Sequence, residues 1–268
     1  MTDTYSKTIL KNKTAFIAGG SSGINLGIAE GFAEHGANII ILSRSKDKVD
    51  AAVAKIKKIG AEAIGIAADV RDYDNIAAAF KTAHDRFGDI DCVISGAAGN
   101  FLSPVTGLSH NGFKTVVDID LIGTFNVYRA SWDYIAKPGA SLISISSAHA
   151  NDARPFQAHA CAAKAGVNML SKCLALEWGQ AGVRVNVISP GPIEDTEGYD
   201  RLVPTEELRE KLANKIPLRQ IGTKQDVTNL AIFLASAASS NVTGGVYNVD
   251  GGNELGDASQ DLITPRKR

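Results

Sequence analysis

The sequence predicts one α/β domain built on a doubly wound, seven-stranded parallel sheet flanked by helices. Three observations carry that reading. Seven short apolar runs recur along the 268 residues, each bounded by turn or cap residues. Most are apolar at successive positions, as strands covered on both faces must be, instead of alternating as in a sheet with one wet face. Longer amphipathic segments separate them, the pattern that yields parallel strands joined by right-handed crossovers.

The elements follow in order. TAFIAG (14–19) enters a glycine-rich turn and a helix that includes GIAEGFAEHG. NIIIL (38–42) precedes KVDAAVAKIKKIG, whose final glycine stops a helix after a basic last turn. AIGIAA (63–68) leads into NIAAAFKTAHDRFG, again closed by glycine, and DCVISG (91–96) follows. A helix containing DIDLIGTF separates that run from SLISIS (141–146), and the small-residue helix start QAHACAAKAG separates the latter from VRVNVIS (183–189). GVYNVD (245–250) completes the set. With no repeat or linker, the expectation is a single domain over 1–268, with a core at about 11–252. The charged, helix-prone stretch 194–215 is expected to act as a substrate lid, and 253–268 as a polar tail.

Composition narrows the function. A formal net charge of −1 is not that of a nucleic-acid-binding chain. Cys92, Cys161 and Cys173 follow neither disulfide nor metal-ligand spacing, and the five histidines show no ligand pattern, so no metal site is expected. No apolar run approaches bilayer length, so no membrane insertion is expected. The start MTDTYSKTILKNK lacks a signal-peptide core, and the terminal RKR is not an S-K-L-type address. These features lead to the expectation of a cytoplasmic protein.

FIAGGSSGINLG joins the first strand to a helix. Gly19 and Gly23 allow a sharp turn and a close backbone approach to a pyrophosphate, whose charge meets the free N–H groups of the helix start; Ser21, Ser22 and Ile24 belong to the same cradle. A strand, a glycine-rich turn and a helix in this order are the Rossmann-type dinucleotide site. After the second strand, where an acidic residue usually holds the ribose of NAD, the chain offers Ser43 and Arg44. A guanidinium there suits a 2′-phosphate, so the cofactor expected is NADPH/NADP.

The turn is similar to the T-G-x-x-x-G-x-G signature of short-chain dehydrogenases/reductases, with Ala18 in place of the threonine and Asn25 in place of the last glycine. The resemblance covers nearly the whole chain. It implies that Asp69 and Val70 in ADVRD hold the adenine, that SGAAG lays Ala97 beside the cofactor, and that PGPIEDT folds over the nicotinamide through Pro190, Gly191, Ile193 and Thr196. It also implies a working set of Asn, Ser, Tyr and Lys. Here Asp120 stands for the Asn, Ser147 and Lys164 are kept, and Ala160 replaces the Tyr.

A methyl group has no proton to give, which leaves three readings: a silent NADP-binding protein; carbonyl reduction with His149, His159 or Tyr199 as substitute acid; or a reduction in which no oxygen is protonated during hydride transfer. A conjugated thioester fits the third, because hydride adds to carbon while donors stabilise an enolate oxygen. The blocks AAGNFLSP, DIDLIGTFNV, HACAAKAGV, LALEWG and PGPIEDTEG resemble 2,4-dienoyl-CoA reductases, particularly the peroxisomal kind, which share the missing Tyr and the Asp. Trans-2-enoyl-CoA and 3-oxoacyl reductases of the same family are the alternatives.

The resemblance implies an acyl-CoA substrate. Lys164 would bind the nicotinamide ribose, Asp120 would organise water or protonate carbon, and Ser147 would donate to the thioester oxygen, with His149 as a further catalytic candidate. Asn100 and Phe101 would border the acyl chain, and Arg71, Arg201, Ser109 and Asn111 would contact CoA. It further implies a homotetramer assembled through helices around 109–137 and 157–180 and the last strand.

Overall fold

The computed structural model of the chain describes residues 4–260 and 263. The terminal RKR, the rest of the tail from 264 and residues 261–262, and the first three residues lie outside the described residues. Seven strands form one parallel sheet: β1 (Thr14–Ala18), β2 (Asn38–Ser43), β3 (Ala63–Ala67), β4 (Cys92–Ser95), β5 (Ser141–Ile145), β6 (Arg184–Pro190) and β7 (Val246–Val249), in spatial order β3-β2-β1-β4-β5-β6-β7. Each expected run is present, with ends moved by about a residue. Strand order reverses between β1 and β4, so the crevice for a ligand opens above their C-terminal ends.

The central strands β1, β4 and β5 are buried at every position. The edges depart from that expectation. β3 exposes alternate residues, and β7 contains no fully buried residue, because each has a neighbour on one side only.

Helices α1 (Gly23–Glu34), α2 (Lys46–Ile59), α3 (Tyr73–Phe87), α4 (His110–Val117), α5 (Gly123–Ser131), α6 (Ala158–Trp178), α7 (Glu197–Leu202), α8 (Glu206–Lys215) and α9 (Lys224–Ala235) complete the chain. The side chains of β1 divide between two cores. Ile17 joins Ile28, Phe32 and Ile232 on the face covered by α1, α2 and α9; Phe16 joins Phe80, Val127 and Tyr128 on the face covered by α3, α5 and α6. Phe16 and Phe80 stack at 4.0 Å, a pairing that adds to the burial of both rings. Burying such side chains contributes roughly 1.5–3 kcal/mol each, enough to fix the strand ends from which the loops of the site project.

Between α4 and α5 the expected continuous helix is broken by a π-helical turn, Asp118–Ile122. Such turns insert a residue and re-aim side chains, often at functional sites. Here the turn carries Asp120, and Thr124 Oγ1 donates to the Asp120 carbonyl at 2.7 Å. The stretch expected as a lid forms α7 and α8. Thr196 caps the first and Thr205 the second, and Arg209 spans them with an ion pair to Asp200 at 3.4 Å.

Candidate active site

A cavity of about 1040 Å³ opens over the C-terminal ends of β1, β2, β4 and β5. Its floor begins at the turn into α1. Gly19 adopts φ +80°, and a Cβ there would lie 2.7 Å from the Ala97 nitrogen; no L side chain fits. Gly23, at φ +57°, has open space where its Cβ would point. Ser22 is the N-cap of α1 but makes no capping bond, so the first N–H groups of the helix remain available to a phosphate. Ser21, Ser22, Gly23 and Ile24 all line the cavity.

Asn25 stands where the family signature has its last glycine. It lies in regular helix, buried, and its amide donates to the Gly96 carbonyl at 2.8 Å and to the Gly19 carbonyl at 3.3 Å. A Cβ on Gly96 would collide with that amide at 2.3 Å. The side chain therefore brackets the phosphate turn to the loop after β4, a long-range contact with no local sequence signal.

Ser43 and Arg44 line the rim after β2, together with Ser45 and Lys48. Arg44 and Lys48 form no ion pair among the described residues, so two cations face a crevice with no acid at this strand end. Lys48 was not anticipated from sequence. Its place follows from Ser45, which caps α2 and accepts from the Lys48 backbone. The residues therefore fit an anionic adenosine dinucleotide with a 2′-phosphate.

Asp69 and Val70 line the adjoining wall, but Arg71 corrects one expectation. Its guanidinium holds both Asp69 oxygens, Nε at 3.0 Å and a terminal nitrogen at 2.7 Å, instead of turning into the cavity. That bidentate pair keeps the Asp69 carboxyl below its ordinary pKa. Asn126 donates to the Val70 carbonyl at 2.9 Å, fixing the same corner.

At the centre, Lys164 donates to the Ile145 carbonyl at 3.0 Å and lies 3.3 Å from an Asp120 oxygen. The other Asp120 oxygen accepts from Gly99 N–H at 2.8 Å. Asp120 is 1% exposed. With a donor on each oxygen it is placed as an acceptor that ties the β4 loop to α6; this geometry favours organisation over the expected proton donation. Ala160, one turn before Lys164, lines the cavity with only its methyl.

Ser147, extended at the end of β5, hydrogen-bonds His149 Nδ1 at 2.9 Å, and His149 Nε2 meets the Gln157 carboxamide oxygen at 2.9 Å. Burial pushes the His149 pKa below its ordinary value. The other substitute acids stand apart from the cavity lining. His159 is fully buried with both ring nitrogens unpartnered and its ring 4.5 Å from that of Phe101, and Tyr199 packs beneath Arg209.

The remaining expected residues divide. Asn100, Ala97, Thr196 and Arg201 line the cavity. Pro190, Gly191 and Ile193 lie outside its lining: Gly191 passes so close to Asp250 that a Cβ would sit 2.6 Å from that side chain, and Ile193 is buried and bridges Gly222. Phe101 is half-exposed outside the lining. Ser109 caps α4 and Asn111 is exposed on its first turn, so neither reaches the cavity. Among the described residues no cluster of His, Cys, Asp or Glu has metal-binding geometry.

Known proteins resemble the chain over most of its length. Residues 18–254 match the family model described as "Enoyl-(Acyl carrier protein) reductase". A Danio rerio protein named peroxisomal 2,4-dienoyl-CoA reductase, (3E)-enoyl-CoA-producing, is 42% identical over 260 residues, spanning 96% of this chain and 87% of that protein. A Bacillus subtilis strain 168 protein named "Probable 2,4-dienoyl-CoA reductase [(2E)-enoyl-CoA-producing]" is 34% identical over 250 residues, spanning 92% and 98%. The crystal structure of a short chain dehydrogenase from Bacillus anthracis superposes with a TM-score of 0.82 at 36% identity, covering 92% of this chain and 98% of that one. The chain belongs to the short-chain dehydrogenase/reductase family and is an oxidoreductase.

Proposed function

We propose that this chain is an NADPH-dependent 2,4-dienoyl-CoA reductase. The observation that carries the reading is the cavity wall beside Lys164, where residue 160 supplies a methyl and a buried Asp120–Lys164 pair stands in its place. Likeness to the two dienoyl-CoA reductases supports it. NADPH, when bound, supplies a hydride to the far carbon of the conjugated system.

The chain's own residues manage the charge that results. Lys164 holds a fixed positive charge at the cavity wall, and Ser147 offers a hydroxyl to the thioester oxygen that becomes an enolate. Asp120 fixes the Gly99 backbone and Lys164 together, so neither must reorganise as charge develops. A proton then reaches carbon. Arg44 and Lys48 hold the 2′-phosphate, Asp69 and Val70 the adenine, and Arg201 contacts the CoA part of the substrate beneath the α7–α8 lid. Phe101, Ser109 and Asn111 border the outer path of the same substrate.

Protonation at the α-carbon, giving a (3E) product, is the reading favoured by the product named for the Danio rerio relative. Direct enoyl thioester reduction is the competing activity, favoured by the description of the matching family model. NADPH oxidation measured with 2,4-dienoyl-, 2-enoyl- and 3-oxoacyl-CoA separates the readings; activity confined to the last would overturn ours.

The chain assembles as a homotetramer. Phe113, Phe125, Met169 and Leu176 are between 40% and 81% exposed on α4, α5 and α6, an apolar surface suited to burial between subunits. Light scattering tests this, and a monomer at micromolar concentration would contradict it. The compartment we assign is the cytoplasm. Cys92, Cys161 and Cys173 are free, which suits reducing conditions, and no helix among the described residues is long and apolar enough to cross a membrane. Imaging of an amino-terminally tagged chain tests the assignment, and punctate peroxisomal signal would overturn it.

A further inference from the structure

Four side chains from two loops form a continuous hydrogen-bonded chain at the cavity wall. Asn100 donates its amide N–H to the Gln157 carboxamide oxygen at 2.5 Å, and His149 Nε2 meets the same oxygen at 2.9 Å. On the far side of the imidazole, Nδ1 lies 2.9 Å from Ser147 Oγ. A second contact, Ser103 N–H to the Phe156 carbonyl at 2.9 Å, holds the same two outer loops together, so Gln157 is fixed from both sides.

The chemistry of the groups sets the direction of each bond. A carboxamide oxygen only accepts, so the nitrogen facing it must carry hydrogen. In the neutral imidazole that leaves Nδ1 bare, and a bare Nδ1 can only accept. The Ser147 hydroxyl therefore donates to His149 at rest, and its proton is turned away from the position of a thioester oxygen. When the imidazole takes a second proton, Nδ1–H donates to Ser147 instead, and the Ser147 hydrogen is released to point into the cavity.

We propose that Gln157 is a positioning residue that sets the tautomer of His149, and through it decides whether Ser147 offers a proton or a lone pair to the substrate oxygen. The inference rests on the proposed reduction of a conjugated thioester and adds to it a control on oxyanion stabilisation. Gln157 reaches no reacting atom; its effect passes through His149.

The surroundings give the sign. Burial disfavours the imidazolium most; Arg154 on the same loop and Lys164 on α6 also oppose it, whereas the Gln157 bond and Asp152 favour it. Arg154 is itself paired with Asp152 at 2.9 Å, which mutes both. The donating form of Ser147 thus grows as pH falls through a value below that of ordinary histidine, and kcat rises with it. Gln157→Glu keeps an acceptor at the same place and adds negative charge, which stabilises the imidazolium. Gln157→Met removes the acceptor at similar size.

The test pairs long-range proton–nitrogen NMR of the imidazole rings in the full chain with pH profiles of 2,4-dienoyl-CoA reduction. His149 is assigned by the loss of its signals in His149→Gln. In the native chain at neutral pH, His149 is expected to show a protonated Nε2 and a bare Nδ1. Gln157→Glu should keep that tautomer and move both the ring titration and the kcat inflection upward by about one pH unit or more, as an adjacent opposite charge does. Gln157→Met should lose the tautomer preference, while the KM for NADPH changes by less than about twofold. A native His149 protonated at Nδ1, or a Gln157→Glu chain whose titration and inflection match the native ones, would overturn the proposal. If no variant and no native enzyme reduces a dienoyl-CoA, the functional reading fails, while the NMR result still decides the tautomer.

Discussion

Lys164 Nζ, one helical turn from Ala160, lies 3.3 Å from a carboxylate oxygen of Asp120, and both side chains are largely withdrawn from water. A buried pair of this kind is costly to break from one side, because the remaining charge has no partner. The pair binds α6 to the π-helical turn and, through Gly99, to the loop after β4.

Asp120→Asn retains an acceptor for Gly99 but removes the charge facing Lys164. We expect kcat for dienoyl-CoA reduction to fall roughly ten- to a hundredfold, the loss associated with a charged hydrogen bond. Thermal unfolding should show a loss of about 3 kcal/mol, from the ammonium left unpaired. Unchanged kcat with lowered stability would reduce Asp120 to a scaffold.

Ala160→Tyr restores a phenol one turn from Lys164. Dienoyl-CoA reduction should stay level or fall, since the ring fills cavity space and its proton is not needed at oxygen. Steady-state assays on dienoyl- and 3-oxoacyl-CoA check this, and a large gain on the dienoyl substrate would show that an acid had been missing.

Arg44→Ala should raise the KM for NADPH by roughly ten- to a hundredfold, the value of a charge-assisted phosphate contact, with little effect on NADH. Lys48→Ala should act in the same direction and more weakly, as an ammonium without the guanidinium fork. Equal changes for both cofactors would contradict the assignment of the 2′-phosphate.

The Asp69–Arg71 pair carries a pH signature. Because Arg71 depresses the folded-state pKa of Asp69, the stability it contributes is complete above the unfolded value of 3.8 and is lost as pH falls through the lower folded value. Arg71 is partly exposed, so the contribution is about 0.5 kcal/mol or less. Arg71→Ala should therefore lower Tm slightly at pH 7 and converge with the native chain in strong acid. It should also raise the KM for NADPH through Asp69; an effect confined to the KM for acyl-CoA would return Arg71 to the substrate path.

How far the sequence discloses this site depends on the range of the interactions. The phosphate turn was legible because Gly19, Gly23 and the start of α1 lie within a few residues of one another, and their backbone requirements are local. Asp120, Ser147 and Lys164 were legible only through family resemblance, since three distant segments supply them. Asn25 as a bracket to Gly96 spans 71 residues, and Asn100 meeting Gln157 spans 57; neither leaves a periodic or compositional trace. Arg71 was misread for the converse reason. Its partner is two residues away, but an arginine near a cavity could equally have turned outward, and only the geometry shows it clasping Asp69.

The most direct test of the account is single-turnover reduction of a 2,4-dienoyl-CoA by the native chain with deuterated NADPH, followed by NMR of the product. Deuterium should appear at the terminal carbon of the original diene, with solvent hydrogen on the α-carbon and a remaining double bond at position 3. Return of the dienoyl substrate unchanged, with a parallel 3-oxoacyl-CoA reaction yielding a 3-hydroxyacyl-CoA deuterated at carbon 3, would contradict it.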